Sequence, residues 1–346
     1  MAMNRRTFLA RIALIPASLA MGASDRDARA PIGIGAASYA IQTRRKGKEF
    51  LDPFRFLAFC RDRGAAGIQA PLGVLDRSEA HQVRRQAEQW EMYVEGSVRL
   101  PTDKDDLDRF RAELRCVRDC GGTIARTVCH TGRRYEAFAS GEAYRTFLDT
   151  SRRSLQRAEP IARTEGIRLA VENHKDRDAR ELADLLTEIS SEAIGATVDI
   201  GNDLALLMNP EETVRLLAPF AVSTHLKDAR LAEASDGFLL DDAPLGLGMI
   251  DVPALVRVLL RENPRLNLTL EMITRDPLLV PCLQESYWHS SQASGRRLAK
   301  TLRLVRQNCT ENLSQVSSLS PERQIALEDE NVRVCLDFAR AHLTVP

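Results

Sequence analysis

Four short apolar runs each end in side chains that could do chemistry. The run IRLAVENH at 167–174 ends in Glu172 and His174, and later runs end in Asp199, His225 and Glu271. Burying carboxylate and imidazole groups is costly unless each has a partner, so strand ends of this kind are often functional sites. If the runs are neighbouring parallel strands, these side chains meet at one edge of the sheet.

Three carboxylates and one imidazole would form an oxygen-rich set of ligands with a single nitrogen. Such a set suits Mn²⁺, Mg²⁺ or Co²⁺ and tolerates Zn²⁺. Crowded carboxylates repel one another and raise each other's pKa, and a divalent cation removes that penalty. The alternative is that each group is a separately satisfied polar residue, but four of them in register favour a metal site.

The elements that must position these residues alternate along the chain from Pro31 onward. Short runs rich in β-branched residues or glycine predict strands at 32–40, 65–73, 91–100, 123–130, 167–174, 194–202, 221–228 and 266–273. Amphipathic patterns predict helices at 52–64, 78–90, 103–122, 142–166, 178–191, 209–220, 251–264 and 295–308. This count predicts a single (β/α)8 barrel of the α/β class. An open doubly wound sheet is the alternative, but no glycine-rich phosphate loop follows the first strand.

Two further segments interrupt or follow the alternation. Residues 230–250 are too long and irregular for a plain connection, and long loops after barrel strands usually belong to the active face. After Cys309 the chain becomes rich in Ser and Gln and then resumes as a predicted helix at 320–343. We therefore expect a barrel over 31–309 and a helical extension over 310–346 that packs on the barrel exterior.

The N-terminus has the order of regions that is typical of an export signal. A twin Arg at Arg5 and Arg6 is followed by a short apolar stretch, Ile12 to Ala23, and by small residues. This resembles a bacterial twin-arginine signal, which predicts a signal peptide over 1–30 and a periplasmic protein. A basic amphipathic helix is the alternative. No other stretch predicts a membrane span, so we expect no stable membrane insertion once the signal is removed.

The charge and cysteine composition indicate which binding partners and which state of the cysteines to expect. Lys plus Arg and Asp plus Glu are both 48, so the chain has no net positive charge to hold a phosphate backbone, and we expect no nucleic-acid partner. The seven cysteines are scattered without a CxxC pair, which indicates buried thiols. The sequence leaves the oligomeric state open.

The four strand ends together resemble a known family. LAVENH, TVDIGN, STHLKD and LTLEMI are similar to the strand ends of the xylose isomerase-like TIM-barrel superfamily, which includes D-tagatose 3-epimerase and inosose dehydratase relatives. The resemblance covers roughly residues 31 to 305. It implies that the metal ligands are Glu172, Asp199, His225 and Glu271, and that Glu172 and Glu271 are also the catalytic acid and base.

Five further residues are candidates for contact with the substrate. They are His174, Lys227, His130, Asn202 and Arg230. His174 and Lys227 each lie two residues beyond a ligand, so an extended strand directs them to the same side. Asn202 stands where the epimerases usually carry His, and Arg230 is the nearest candidate for their Arg after the strand-seven His. Glu95 and Arg99 are weaker candidates, and Asp228 is expected to cap a loop.

The resemblance implies a divalent-metal-dependent isomerase or epimerase, with Mn²⁺ as the first choice of cofactor. Proton transfer next to a carbonyl is the expected chemistry. Because an exported protein meets sugars rather than phosphorylated metabolites, the expected partner is a non-phosphorylated small carbohydrate or keto-sugar derivative. Two alternatives remain open: a metal-dependent lyase or dehydratase that acts on a keto-glycoside or inosose-like compound, and a non-catalytic sugar-binding barrel.

Overall fold

The computed structural model of the protein describes residues 29–291 and 293–343. The expected twin-arginine signal therefore lies almost entirely outside the described residues. Its assignment stays a prediction.

Eleven strands occur in the described part of the chain. In chain order they are β1 Gly33–Gly35, β2 Gly67–Ala70, β3 Tyr93–Ser97, β4 Ile124–Thr127, β5 Arg168–Glu172, β6 Ile194–Asp199, β7 Ala221–His225, β8 Asp228–Ala234, β9 Gly237–Ala243, β10 Thr269–Leu270 and β11 Leu278–Val280.

Eight of these strands form one parallel sheet in the order β10-β1-β2-β3-β4-β5-β6-β7. The two ends of the sheet meet through Leu226, whose N–H donates to Thr269 O at 2.7 Å and whose carbonyl accepts from Glu271 N–H at 2.9 Å. A parallel bridge between Leu226 and Leu270 marks the same contact. Closure leaves no long sheet edge unpaired, and the expected (β/α)8 barrel is confirmed.

Twelve α-helices accompany the strands in the described residues. They are α1 Ala40–Lys46, α2 Pro53–Arg61, α3 Arg77–Gln89, α4 Leu107–Asp119, α5 Arg134–Ala137, α6 Gly141–Glu165, α7 Ala179–Ile189, α8 Pro210–Leu217, α9 Val252–Glu262, α10 Glu285–Trp288, α11 Gly295–Gln307 and α12 Pro321–His342. Each of the eight helices expected between and after the barrel strands is present.

The sequence sets the start and the buried face of these helices. Asp178 begins α7 by accepting hydrogen bonds from the N–H groups of Arg180 and Glu181, and the Glu181 side chain accepts from Asp178 N–H in return. This capping box satisfies donors that the helix itself leaves free. Leu182, Leu185 and Leu186 follow at helical spacing and are buried against the barrel.

Residues 230–250 contain regular structure, although the sequence suggested an irregular loop. Strands β8 and β9 form an antiparallel hairpin joined by Ser235 and Asp236, and β11 pairs with the other edge of β9. Gly237, the first residue of β9 after this turn, adopts a φ of 152° that other residues rarely reach. The helix α11 packs against β8 and β9 of this hairpin.

The C-terminal helix α12 packs on the barrel exterior, as the sequence predicts. Val332, Cys335, Leu336 and Ala339 are buried. The Glu328 carboxylate, also buried, accepts hydrogen bonds from the N–H groups of Ile41 at 2.6 Å and Gln42 at 3.0 Å, and so satisfies two donors in the first turn of α1. The helix therefore connects the two ends of the described chain.

Two other expectations from the sequence concern the cysteines and membrane-spanning helices. All seven cysteines are free thiols; five are buried, as expected, whereas Cys129 is partly buried and Cys309 is exposed. Within 29–291 and 293–343, no helix combines the length and the hydropathy that a membrane span requires.

Candidate metal centre

The residues at the ends of β5, β6, β7 and β10 converge. One ligand atom from each of Glu172, Asp199, His225 and Glu271 lies within 4.8 Å of the other three, and all four residues are buried. Asp199 and His225 are paired in the register of β6 and β7. The contact that closes the barrel places Glu271 directly beyond β10, next to His225. Parallel strands ending at the same height thus bring together residues that are far apart in the sequence.

His225 presents one ring nitrogen to the three carboxylates. Its Nδ1 lies 3.3 Å from Glu172 Oε1, 3.4 Å from Glu271 Oε1 and 3.8 Å from Asp199 Oδ2, and it has no hydrogen-bond partner within the part of the chain that the structure describes. Burial by itself lowers the pKa of His225, but Glu271 and Glu172 outweigh burial and raise it.

The other nitrogen of His225 is held by Gln69 on β2. Nε2 lies 2.6 Å from Gln69 Oε1, while the Gln69 amide nitrogen donates to Glu95 Oε2 at 2.9 Å. With the amide in this orientation, His225 donates from Nε2, so that the neutral ring can offer the lone pair of Nδ1 to a cation. A free, buried Nδ1 aimed at three carboxylates is the arrangement of a metal ligand with its supporting hydrogen bond.

Arg126 on β4 pairs with Glu172. Its Nε donates to Glu172 Oε2 at 2.6 Å, its Nη2 contacts the same oxygen, and Asn202 Nδ2 donates to Glu172 Oε1 at 3.0 Å. Burial would raise the pKa of Glu172, but the Arg126 guanidinium and His225 outweigh it and hold the pKa well below its ordinary value. Glu172 is therefore an ionised carboxylate with a fixed orientation.

Lys227 lies on the other side of the cluster. Its Nζ is 2.8 Å from Asp199 Oδ2 and 2.7 Å from Glu271 Oε2. Burial would lower the pKa of Lys227, but the two carboxylates outweigh it and raise the pKa, so this side chain is an ammonium. Glu271 can still offer Oε1, which faces His225, to a cation.

A second buried lysine lies beside the first. Lys175, in the loop after β5, donates from Nζ to Asn202 Oδ1, and Lys227 Nζ donates to the same oxygen at 3.2 Å. Burial, followed by the neighbouring Lys227 ammonium, lowers the pKa of Lys175 to about 8. The Asn202 amide thus lies between Glu172 and two ammonium groups.

The residues present fit a divalent cation. Three buried carboxylates and an unpartnered imidazole nitrogen face one point, and the donor set has the oxygen-rich character that Mn²⁺ or Mg²⁺ prefers. Arg126 and Lys227 compensate part of the carboxylate charge, while Glu172 Oε1 and Glu271 Oε1 face His225 Nδ1 and stay available to a cation.

The five residues expected to contact substrate fall into three groups. Asn202 and Lys227 lie at the centre. His174 is close by, its Nδ1 is buried without a partner among the described residues, and burial lowers its pKa to about 4, so that the ring is neutral. His130 and Arg230 lie farther out.

His130 lines a cavity of about 520 Å³ that also includes Ser97, Arg99 and Arg126. The His130 ring accepts a hydrogen bond from Gly132 N–H at 2.8 Å and packs against Phe138 and Phe147. Because Arg126 both lines this cavity and bonds Glu172, the cavity adjoins the metal centre. Arg99 lies at this cavity, whereas Glu95 is buried and supports Gln69.

The structure does not bring Arg230 to the centre. It lies in the hairpin, 3.0 Å from Asp241 and in contact with Ser314. Asp228, by contrast, has the expected capping role, because its carboxylate accepts from the backbone N–H groups of Ala229, Gly246, Gly248 and Ile250.

Three residues that contribute to the site escaped sequence reasoning. Arg126 could have been found as the one charged residue inside the short predicted strand at 123–130, where it requires a carboxylate partner. Gln69 lies in a similar position on β2. Lys175 adjoins His174 in sequence, but only the fold shows that its ammonium turns back toward Asn202.

Comparisons with known proteins identify the family of this chain and structures with the same fold. A family profile described as "Xylose isomerase-like TIM barrel" matches residues 57–307. The 3-oxo-isoapionate decarboxylase of Pectobacterium atrosepticum is 34% identical over 101 residues, which is 29% of this chain. The match spans only 36% of that relative's length.

Two solved structures show the same fold. D-psicose 3-epimerase from Clostridium cellulolyticum H10, crystallised with D-tagatose, has a TM-score of 0.54 at 13% identity and covers 90% of this chain and 98% of its own. A xylose isomerase-like TIM-barrel protein from Mycobacterium smegmatis, in complex with magnesium, has a TM-score of 0.52 at 16% identity. The match covers 79% of this chain and 98% of that protein. At these identities the likeness concerns the fold alone.

Proposed function

Because the chain belongs to the xylose isomerase-like TIM-barrel family, we propose that it is a divalent-metal-dependent enzyme that transfers a proton at a carbon next to the carbonyl of a non-phosphorylated sugar. Isomerases and epimerases work in this way. The observation that carries the proposal is the unpartnered Nδ1 of His225, which faces the carboxylates of Glu172, Asp199 and Glu271.

Glu172, Asp199, His225 and Glu271 would hold the cation, with Mn²⁺ as the first choice. A divalent cation in this position polarises a carbonyl and stabilises the negative charge that develops when the adjoining carbon loses its proton. Gln69 and Asn202 orient the ligands, since each bonds one of them directly.

Glu271 is the proposed base that takes the proton from carbon. Its Oε2 is held by the Lys227 ammonium at 2.7 Å, while the Glu271 carboxylate stays close to His225. Glu172 is the proposed partner that returns a proton on the other side of the substrate. Both of its oxygens are oriented, one by Arg126 and one by Asn202.

Proton exchange in deuterated water tests this proposal. The Mn²⁺-loaded protein is incubated with D-fructose, D-tagatose and L-ribulose in D₂O, and NMR records deuterium at carbon and any new sugar. We expect metal-dependent deuterium uptake into at least one ketose. Binding of a ketose without exchange would instead support the sugar-binding barrel, and a protein that binds no divalent metal would refute the proposal.

Decarboxylation of a sugar-derived keto acid is a second candidate, which belongs to the lyase class. The similarity to 3-oxo-isoapionate decarboxylase favours it. In a 3-oxo acid the carbon–carbon bond to the carboxylate breaks, CO₂ leaves, and the electron pair forms an enolate that then takes up one proton. The same ligands suit this reaction, because the enolate resembles the one formed by proton removal. Metal-dependent CO₂ release from 3-oxo sugar acids would distinguish decarboxylation from isomerisation or epimerisation.

We also propose a periplasmic location, reached by the twin-arginine route. The order of the regions at 1–30 supports it.

A further inference from the structure

Among the residues that the structure describes, the buried ammonium of Lys175 has no ionic partner. Its side chain belongs to a residue only 5% exposed, and its hydrogen bond goes to the neutral amide oxygen of Asn202. No carboxylate in the described ranges forms an ion pair with it, whereas Lys227 beside it has two. Burying an unpaired charge is costly, so such a group is usually matched by a ligand.

The backbone at Lys175 is also unusual. Its φ is 58°, in the left-handed region that residues other than glycine rarely adopt. Asn and Asp reach this region more readily than Lys because their short side chains bond the local backbone. Strain of this kind persists where the surroundings enforce it, and it concentrates at ligand sites. The strain directs the ammonium inward, to Asn202.

The balance of charge at the metal centre points the same way. Three carboxylates, Glu172, Asp199 and Glu271, face three cationic side chains, Arg126, Lys227 and Lys175. The nearby Asp242 is already paired with Arg275 at 2.7 Å. Among these six side chains the charges cancel, so a bound divalent cation would add two positive charges that none of them offsets. A neutral sugar compensates neither of them.

We propose that Lys175, with Lys227 beside it, binds a carboxylate group of the substrate, so that the enzyme prefers a keto sugar acid to a neutral ketose. The two ammonium groups already share one oxygen, Asn202 Oδ1, which shows that they can approach a single acceptor together. This inference rests on the proposed metal-dependent function and names the substrate class of that site.

A carboxylate fits the charge balance better than a phosphate does. Proton removal or decarboxylation next to the carbonyl develops one negative charge on the substrate, and one carboxylate adds a second. Together they match the two surplus positive charges. A phosphate dianion would bring the negative charge on the substrate to three, one more than the surplus positive charge.

Three ligands that differ only at C6 test the proposal: D-fructose, D-fructuronate and D-fructose 6-phosphate. Isothermal titration calorimetry first measures Mn²⁺ binding and then the binding of each ligand to the Mn²⁺-loaded protein. We expect D-fructuronate to bind at least about tenfold more tightly than D-fructose. Lys175→Met should remove that preference without weakening Mn²⁺ binding, whereas Lys104→Met, at an exposed position, should retain the preference.

Each other outcome counts against the proposal. Equal or weaker binding of D-fructuronate, including no measurable binding, overturns it, and so does an unchanged preference in Lys175→Met. Tighter binding of D-fructose 6-phosphate than of D-fructuronate overturns the choice of carboxylate. Failure of the protein to bind Mn²⁺ would refute the proposed function itself. The Mn²⁺ titration therefore distinguishes failure of the proposed function from failure of the proposed substrate class.

Discussion

Gln69 Oε1 lies 2.6 Å from His225 Nε2, and this contact determines which nitrogen of the imidazole faces the carboxylates. The Gln69 amide is itself held by Glu95 Oε2 at 2.9 Å and by Ser223 Oγ at 3.2 Å. A chain of buried hydrogen bonds across the barrel interior thus fixes the orientation of one proposed metal ligand.

Replacing Gln69 should weaken metal binding without removing a ligand. In Gln69→Leu the His225 ring loses the acceptor that fixes its tautomer, so we expect Mn²⁺ affinity to fall by about 10- to 100-fold. Calorimetry measures the affinity, and circular dichroism confirms the fold. Gln89→Leu, at an exposed position on α3, is the matched control. Unchanged affinity in Gln69→Leu would show that His225 does not bind the metal through Nδ1.

Glu271→Gln should abolish proton transfer. The amide keeps the size of the side chain but is far too weak a base to take a proton from carbon, so we expect deuterium exchange to fall by about 100-fold or more. NMR in D₂O measures the exchange, and Glu262→Gln, at an exposed position of α9, is the control. Full exchange in Glu271→Gln would assign the base to another residue.

Removing the Lys227 ammonium should strengthen metal binding. Lys227 Nζ lies 2.8 Å from Asp199 Oδ2 and 2.7 Å from Glu271 Oε2. The ammonium therefore repels a divalent cation held by the same carboxylates. We expect Lys227→Met to bind Mn²⁺ about tenfold more tightly, with Lys104→Met unchanged. Weaker binding in Lys227→Met would mean that the lysine chiefly positions the carboxylates.

The pH dependence of stability should include a contribution from Asp203. Burial, followed by the neighbouring Asp178, raises the pKa of Asp203 from 3.8 to about 7. A raised pKa means that the folded state binds the proton more tightly, so this contribution is fully present below pH 3.8 and is lost as the pH rises through 7. Its size is at most about 4 kcal/mol.

Urea unfolding at several pH values measures this effect. We expect Asp203→Asn to lose less stability than the parent protein between about pH 4 and pH 8, because its side chain carries no titrating proton. Asp184→Asn, at an exposed position of α7, should follow the parent curve. Parallel curves for Asp203→Asn and the parent would contradict the raised pKa.

Export should depend on the twin Arg. Replacing Arg5 and Arg6 together by Lys should keep the protein in the cytoplasm, because the twin-arginine pathway reads this pair. Cell fractionation and immunoblotting measure the distribution. Arg11→Lys is the control with the same charge. Undiminished periplasmic protein in the double variant would refute the assignment.

The four proposed ligands could be identified from the sequence because they depend on a simple rule. Parallel strands of a barrel end at one face, so a polar residue that ends each apolar run must lie near its neighbours there. Glu172, Asp199, His225 and Glu271 follow this rule. The strands themselves were predictable because each is bounded by helices with recognisable caps, such as Asp178.

Residues that depend on contacts between distant elements were harder to find. Arg230 was chosen for its closeness to His225 in sequence, but the hairpin of β8 and β9 carries it to Asp241. Arg126 is important because β4 lies beside β5, which places its guanidinium on Glu172. Lys175 depends on a left-handed backbone conformation that no sequence pattern around it predicts. These positions require the packed structure.

The bond from Glu328 to the first helix has a consequence for synthesis of the protein. Its carboxylate bonds Ile41 and Gln42, and 287 residues separate Glu328 from Ile41. A ribosome releases the N-terminal segment long before it makes this partner, so these two N–H groups of α1 depend on water until Glu328 has been synthesised. Messages truncated upstream of Glu328 should therefore yield polypeptides that cellular proteases remove.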